Sequence, residues 1–185
     1  MARTESTMLA LGTPAPDFAL TDVTTGRIVR RDDFRGRPGL LVLFLCAHCP
    51  YVKHIEKSLG ELGEHYAESG LAIVAISSND VAAYPEDSPE HMRVQAEANA
   101  FGFPYLYDET QEVARAYQAA CTPDFFLFDG EQKLVYRGEY DSSRPGNGIP
   151  VSGEDLRFSI DLLLKGQPVP ADQRPSLGCN IKWKA

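Results

Sequence analysis

Two runs of apolar residues predict the buried strands of a sheet. Residues 40–46, "LLVLFLC", are apolar at every position, and residues 71–77, "LAIVAIS", are nearly so. A continuous apolar run of this length is typical of a strand that is covered on both faces. We therefore expect two buried strands, with the first run as the central one.

Helical spacing of apolar residues follows each run. After Pro50, apolar residues recur near every third or fourth position as far as Gly70, and residues 90–101 form a second helical segment behind a polar, proline-bearing loop. Further along, residues 103–108 predict a short strand, and residues 110–120 and 154–166 predict helices. The order of strand, helix, strand, helix indicates an α/β fold.

Turn residues between short β-rich segments predict two hairpins. One surrounds Thr25-Gly26 and is expected at an edge of the sheet, and the other joins the two halves of residues 124–138 through "DGEQ". The second hairpin makes the sheet antiparallel at its edge, so we expect a central mixed β-sheet flanked by helices. Within the 185 residues we expect a flexible lead at 1–10, one domain at 11–166 and a proline-bearing tail at 167–185.

Charge and apolar content exclude some partners. The formal net charge of -8 disfavours binding to nucleic acid, which requires clustered Lys and Arg. No apolar stretch approaches the ~20 residues of a membrane helix, and the apolar part of "MARTESTMLALG" is too short for a signal peptide. We therefore expect a cytoplasmic protein without a membrane partner. In that reducing compartment, the four cysteines are expected to be catalytic or metal-bound rather than structural disulfides.

The motif Cys46-Ala-His-Cys49 stands where the central strand meets the first helix. Unpaired N–H groups and the helix dipole favour a thiolate there, so we expect Cys46 to be the nucleophile and Cys49, farther into the helix, to be the shielded resolving thiol. A positive charge on His48 would lower the pKa of Cys46 and make the disulfide more oxidising. A disulfide between the two cysteines needs little backbone movement at this spacing.

Other readings of the pair remain open. A Cys-x-x-Cys can be half of a zinc site, but no second ligand pair is present in the sequence. A copper-delivery protein would need a distant His, and only His91 is available beyond the first helix. A binding module with incidental cysteines would leave His48 unexplained. Thr122-Pro123 before an apolar strand predicts a tight, sometimes cis, turn near the site, with Cys121 as an accessory candidate; Cys179 is expected to be a reduced, idle thiol.

Several segments together resemble the thioredoxin-like superfamily, in its redoxin or AhpC/TSA (alkyl hydroperoxide reductase/thiol-specific antioxidant) branch. They include "GTPAPDFAL", "LLVLFLCAHC", "FPYLYDET", "VARAYQAACTPDFFLFD" and "LVYRGEYD", in the family's order across residues 11–141. The resemblance implies a thioredoxin-like fold and a thiol-disulfide oxidoreductase with an antioxidant role and no cofactor. It also implies that Cys46 and Cys49 face a cis-Pro123, and that the Thr122 backbone meets the partner's chain.

The resemblance also implies partners and an alternative activity. Partners would be protein or small-molecule disulfides and thiols, and peroxides if the chain were a peroxiredoxin-like thiol peroxidase. In that alternative, an alignment on "CP" makes Cys49 the peroxidatic thiol. The Thr expected three residues earlier is then Cys46, and the region expected to hold an Arg reads Cys121-Thr122-Pro123. Peroxidase chemistry therefore ranks second.

Overall fold

A computed structural model of the chain describes residues 3–185. Its strands are β1 (Arg3–Glu5), β2 (Ala19–Asp22), β3 (Ile28–Arg30), β4 (Gly39–Phe44), β5 (Ala72–Ser77), β6 (Tyr105–Tyr107), β7 (Cys121–Thr122), β8 (Asp124–Asp129), β9 (Leu134–Arg137) and β10 (Leu177–Asn180). Its helices are α1 (Pro50–His65), α2 (Pro89–Ala98), α3 (Glu112–Ala116) and α4 (Glu154–Leu164). None of these helices is long and apolar enough to cross a membrane.

Seven strands form the main sheet, in the order β3-β2-β6-β5-β4-β8-β9. Strand β4 is central: it runs parallel to β5, with Val42 opposite Val74, and antiparallel to β8, with Val42 opposite Phe126. The prediction of a mixed sheet with two buried inner strands is confirmed. Both predicted hairpins are present, as β2-β3 at one edge and β8-β9 at the other. Gly26 has φ +74 in the first hairpin, a value that glycine adopts easily.

Successive side chains of each strand point to opposite faces of the sheet, and the sheet therefore divides the core into two layers. Leu41 and Leu43 face one layer, where they pack with apolar residues of α1, α2 and α4. Leu40, Val42 and Phe44 face the other layer, which includes residues of α3 and the Tyr117 ring. Both faces of β4 are therefore covered by helices, which explains why its sequence shows no polar position.

A second, three-stranded sheet, in the order β1-β10-β7, joins the two ends of the described chain to the region of Pro123. Arg3 pairs with Cys179, and Cys179 on its other side pairs with Thr122. The segments predicted as a flexible lead at 1–10 and a tail at 167–185 each contribute a strand to this sheet, and β1 and β10 satisfy each other's backbone groups. Residues 1 and 2 of the predicted lead lie outside the described residues.

Candidate active site

Helix α1 begins immediately after the cysteine pair. Pro50 is its first residue, and Cys49 is the N-cap, with an extended backbone at φ -65 and ψ 125. Proline suits the first helical position because it has no N–H to satisfy, and it keeps the preceding residue out of the helical conformation. The unpaired N–H groups and the positive end of the helix dipole therefore lie beside Cys49. This differs from the expectation that Cys49 would lie farther into the helix.

The sulfurs of Cys46 and Cys49 meet at one residue of β7. The Cys46 Sγ lies 3.3 Å from the Thr122 hydroxyl, and the Cys49 thiol donates to the Thr122 carbonyl oxygen at 3.3 Å. Both cysteines have 0% relative exposure. Both thiols are therefore shielded from solvent, although the sequence predicted this only for Cys49.

Cys179 is the third thiol of this cluster. Its Sγ lies 2.8 Å from the Cys49 Sγ, and the residue is buried. The thiol that was expected to be idle in the tail therefore lies in contact with the cysteine pair. Strand β10 carries Cys179 to this position, because Cys179 is the pairing partner of Thr122.

A buried carboxylate organises the segment between the two cysteines. The Asp87 Oδ1 accepts hydrogen bonds from the backbone N–H groups of Ala47 and His48, at 2.8 and 3.0 Å. Its Oδ2 accepts from the Asn79 side-chain amide at 2.7 Å and lies 2.5 Å from the His48 Nδ1. Asp87 has no exposed surface. It therefore fixes both the backbone and the imidazole of the Cys-x-x-Cys loop.

The His48 ring is held between Asp87 and an aromatic neighbour. Its plane stacks on Tyr84, with ring centroids 5.9 Å apart and an angle of 9° between the planes, and its side chain is 15% exposed. The imidazole therefore faces a carboxylate as well as the cysteines. A proton on this ring would be paired with Asp87, so its effect on Cys46 depends on both groups.

The pKa values of the paired thiols move in opposite directions. The interaction with the Cys49 sulfur, burial and the negative charge of Asp87 raise the pKa of Cys46 well above its usual range. The hydrogen bond from the Cys46 thiol, together with those from Cys179 and the Val52 N–H, lowers the pKa of Cys49 to about 5 against the effect of burial. Cys49 is therefore the thiol that ionises first, as its place at the helix end requires.

One group of side chains has donor atoms close enough together for a metal ion. The ligand atoms of Cys46, His48 and Asp87 lie within 4.8 Å of one another. A carboxylate offers about four acceptor positions, and hydrogen-bond contacts already occupy two at each oxygen of Asp87. A metal ion here would have to displace His48 or Asn79 from the carboxylate. The arrangement fits a hydrogen-bonded loop better than a metal site, and the expectation of a metal-free protein stays a prediction.

The remaining predicted site residues lie in and beside β7. The Thr122–Pro123 peptide bond is cis, as the sequence suggested. Cys121 is buried, which raises the pKa of its thiol, and it donates to the Pro123 carbonyl oxygen at 3.6 Å rather than to the paired cysteines. The backbone of Thr122, expected to meet a partner's chain, is paired with β10.

Sequence reasoning missed Asp87 and Asn79. Both lie in the polar, proline-bearing loop between β5 and α2, where acidic and amide residues normally face solvent. The one local signal is that Asp87 lies two residues before Pro89, the first residue of α2. Such a position is common for loop residues, so it could not have identified a buried acid.

Comparison with known proteins agrees with the fold. A profile described as the AhpC/TSA family matches residues 11–137. The chain is 33% identical over 137 residues to the thiol-disulfide oxidoreductase ResA of Geobacillus kaustophilus (strain HTA426). The aligned residues make up 73% of this chain and 74% of that protein.

Solved structures extend the likeness to the tail. An uncharacterized conserved protein from Geobacillus kaustophilus is 55% identical with a TM-score of 0.97, covering 100% of this chain and 97% of the other. The thioredoxin domain of a thiol-disulfide oxidoreductase from Bacteroides vulgatus is 22% identical with a TM-score of 0.66, covers 84% of this chain and 99% of the other, and shows the shared fold. The sheet topology, the matched residues and these relatives show that the chain belongs to the AhpC/TSA family, in the thioredoxin-like superfamily.

Proposed function

We propose that this oxidoreductase exchanges disulfides with protein or small-molecule partners through Cys46 and Cys49. One observation carries the proposal: the two sulfurs converge on Thr122, one on its hydroxyl and the other on its carbonyl oxygen, each at 3.3 Å. Two thiols held against one residue, with one stabilised as a thiolate, form a couple that can open and close a disulfide without rebuilding the site.

The proposed reaction begins with the Cys46–Cys49 disulfide. A partner thiolate attacks the Cys46 Sγ, and the Cys49 sulfur leaves with the electron pair as a thiolate. A low pKa makes Cys49 a good leaving group. A second partner thiol then attacks the mixed disulfide and releases Cys46, which takes up a proton because its pKa is raised. The partner loses two electrons and becomes a disulfide, and the pair gains them.

The same steps run backwards when the partner is a disulfide. A mixed disulfide on Cys46 is then resolved by Cys49, whose thiolate accepts hydrogen bonds from Cys179 and the Val52 N–H. Stabilising the Cys49 thiolate favours the reduced form of the pair, so we infer that oxidation of partner dithiols is the favoured direction. His48 tunes this balance in the proposal, and Thr122 with Pro123 contacts the partner. The cytoplasmic location and the antioxidant role stay predictions from the sequence.

The experiment compares two single variants with a matched control. Variants that have been reduced and freed of reductant are mixed with insulin as a protein disulfide, and mixed disulfides are identified by mass spectrometry after acid quenching. Turnover of insulin is measured separately, with dithiothreitol as the reductant. Cys49→Ser should accumulate mixed disulfides on Cys46, because the resolving thiol is missing. Cys46→Ser should trap few partners and lose nearly all turnover. Cys121→Ser should behave as the original chain, since its thiol bonds to Pro123. Partners trapped on Cys49 rather than on Cys46 would overturn these roles.

A peroxiredoxin-like thiol peroxidase is the second candidate, and the low pKa of Cys49 is the observation that favours it. A peroxidatic thiolate on Cys49 would attack hydrogen peroxide and become a sulfenic acid. The double variant Cys46→Ser/Cys179→Ser leaves that sulfenic acid without a neighbouring thiol to condense with. Three results together would select the peroxidase. The original chain would consume peroxide rapidly and reduce little insulin, and the double variant would hold a stable sulfenic acid on Cys49.

A further inference from the structure

The proposed function uses two thiols, but the site contains a third. Cys179 approaches the Cys49 sulfur to 2.8 Å from a segment that follows it by 130 residues. A disulfide has sulfurs about 2.0 Å apart, so a movement of less than ~1 Å would join them. Both residues are buried.

The fold places Cys179 there by several independent contacts. Residue 178 is a glycine, and a Cβ at that position would lie 2.0 Å from the Thr122 carbonyl oxygen, so a larger residue would force β10 away from β7. Beyond β10, the Lys182 N–H donates to the Asn79 side chain at 2.8 Å, and its carbonyl oxygen accepts from the Gln111 amide at 2.8 Å. The segment is therefore held on both sides of the thiol.

Asn79 links this anchor to the other half of the site. Its amide nitrogen donates to Asp87, which holds the loop of Cys46 and His48, while its carbonyl oxygen receives the Lys182 N–H. One buried side chain thus bridges the Cys-x-x-Cys loop and the segment that carries Cys179. The three cysteines are positioned by one connected set of hydrogen bonds.

We propose that Cys179 is a third redox thiol, which exchanges with Cys46 as the disulfide partner of Cys49. The Cys179 sulfur attacks the Cys49 Sγ of the Cys46–Cys49 disulfide as its thiol loses its proton. The Cys49–Cys179 bond forms, the Cys46–Cys49 bond breaks, and Cys46 leaves with the electron pair and takes up the proton that Cys179 released. One disulfide replaces another, so no outside oxidant or reductant is needed.

This inference rests on the proposed function, because the exchange starts from the disulfide of the Cys46–Cys49 couple. The exchange has a defined consequence for the site. It returns Cys46 to the thiol state while the oxidising equivalent stays in the chain, and it joins β10 covalently to the start of α1. Since β10 pairs with Thr122, this bond holds the strand where a partner's chain would have to pair.

The test is disulfide mapping of the full-length chain in glutathione buffers of graded oxidation, after acid quenching, alkylation and digestion. Cys46→Ser should form a Cys49–Cys179 disulfide, and so should Cys46→Ser/Cys121→Ser. Cys46→Ser/Cys179→Ser should carry glutathione on Cys49 instead. In Cys46→Ser, the effective concentration for the Cys49–Cys179 pair should exceed that for Cys49–Cys121 by roughly 100-fold, because thiols held near contact gain at least this factor.

The outcomes separate this inference from the proposed function. Glutathione on Cys49 in folded Cys46→Ser, without a Cys49–Cys179 bond, would overturn the role of Cys179 whatever the insulin assay shows. A Cys49–Cys179 bond with no turnover of insulin by the original chain would retain the third thiol and refute the oxidoreductase mechanism. If circular dichroism shows that Cys46→Ser does not fold, the map of the original chain decides: a Cys49–Cys179 peptide supports the inference, and its absence at every glutathione ratio refutes it.

Discussion

Replacing Asp87 by Asn tests whether the buried carboxylate organises the loop of the cysteine pair. The substitution keeps the shape of the side chain and leaves one oxygen to accept from the Ala47 and His48 backbone. It replaces the other oxygen by an NH₂ group, which faces the Asn79 amide that donates at 2.7 Å in the original chain. Two donors then meet, and Asn79, which is 2% exposed, cannot turn to water.

The size of the effect follows from these contacts. Leaving a buried donor without an acceptor costs about 1–3 kcal/mol, and hydrogen bonds to a charged group contribute about 1.5–3 kcal/mol, against about 1 kcal/mol for neutral ones. Relief from burying the charge offsets part of the loss, and His48 can change tautomer so that its Nδ1 accepts a hydrogen bond from the new amide. We expect Asp87→Asn to lower the free energy of unfolding by ~2–3 kcal/mol. Asp87→Ala should cost more, because it also orphans two backbone N–H groups.

The measurement is urea unfolding of the reduced proteins, followed by far-ultraviolet circular dichroism. The matched control is Glu86→Gln, which removes the neighbouring charge from an exposed position and should change the free energy by less than about 0.5 kcal/mol. The same variants allow titration of Cys46, whose pKa should fall when the Asp87 charge is removed. Stability of Asp87→Asn within the range of Glu86→Gln would show that the carboxylate does not hold the loop.

Three further changes test the electrostatics of the site and its surroundings. The ultraviolet thiolate absorbance of the reduced chain should rise near pH 5, where the lowered pKa of Cys49 lies, and this step should vanish in Cys49→Ser but persist in Cys121→Ser. Burial raises the pKa of Asp124 to about 7, so the folded chain keeps a proton that the unfolded chain loses near pH ~4, and the contribution of Asp124 to stability falls as the pH rises between these values. Relative to the original chain, Asp124→Asn should therefore gain stability between pH 5 and pH 8 in urea unfolding. His48→Ala should make the disulfide of the pair harder to reduce, with ~30 mV for each ~1.4 kcal/mol in glutathione equilibria. The control His54→Ala, in helix α1, should leave the potential unchanged.

Local patterns were sufficient to predict the inner strands and the hairpins. Strand β4 is buried on both faces, and this burial requires an apolar residue at every position, which is visible in the sequence. The hairpin at Gly26 depends on a residue that accepts a positive φ, and this too is a property of one position. The spacing of Cys46 and Cys49 was sufficient to identify them as a pair. The position of Pro123 before a strand was sufficient to predict a tight turn there.

The rest of the site is formed by contacts between distant segments. Asp87 has the sequence surroundings of a solvated loop residue, and only the packing of that loop against the Ala47-His48 backbone makes it a buried acceptor. Strands β1 and β10 have three and four residues, too few to show a period. Cys49 and Cys179 are 130 residues apart in the chain. Their contact depends on the pairing of β10 with β7, for which no local sequence pattern exists.

The late position of β10 in the chain has a consequence for biosynthesis. Cys179 follows Cys49 by 130 residues, so at about 5–20 residues per second the ribosome adds it on the order of ten seconds after Cys49. During that interval β7 lacks its neighbouring strand, and the nascent chain presents Cys49 without its cover. The contact between Cys49 and Cys179 can therefore form only after β10 has been translated, when every other element of the site is already in place along the chain.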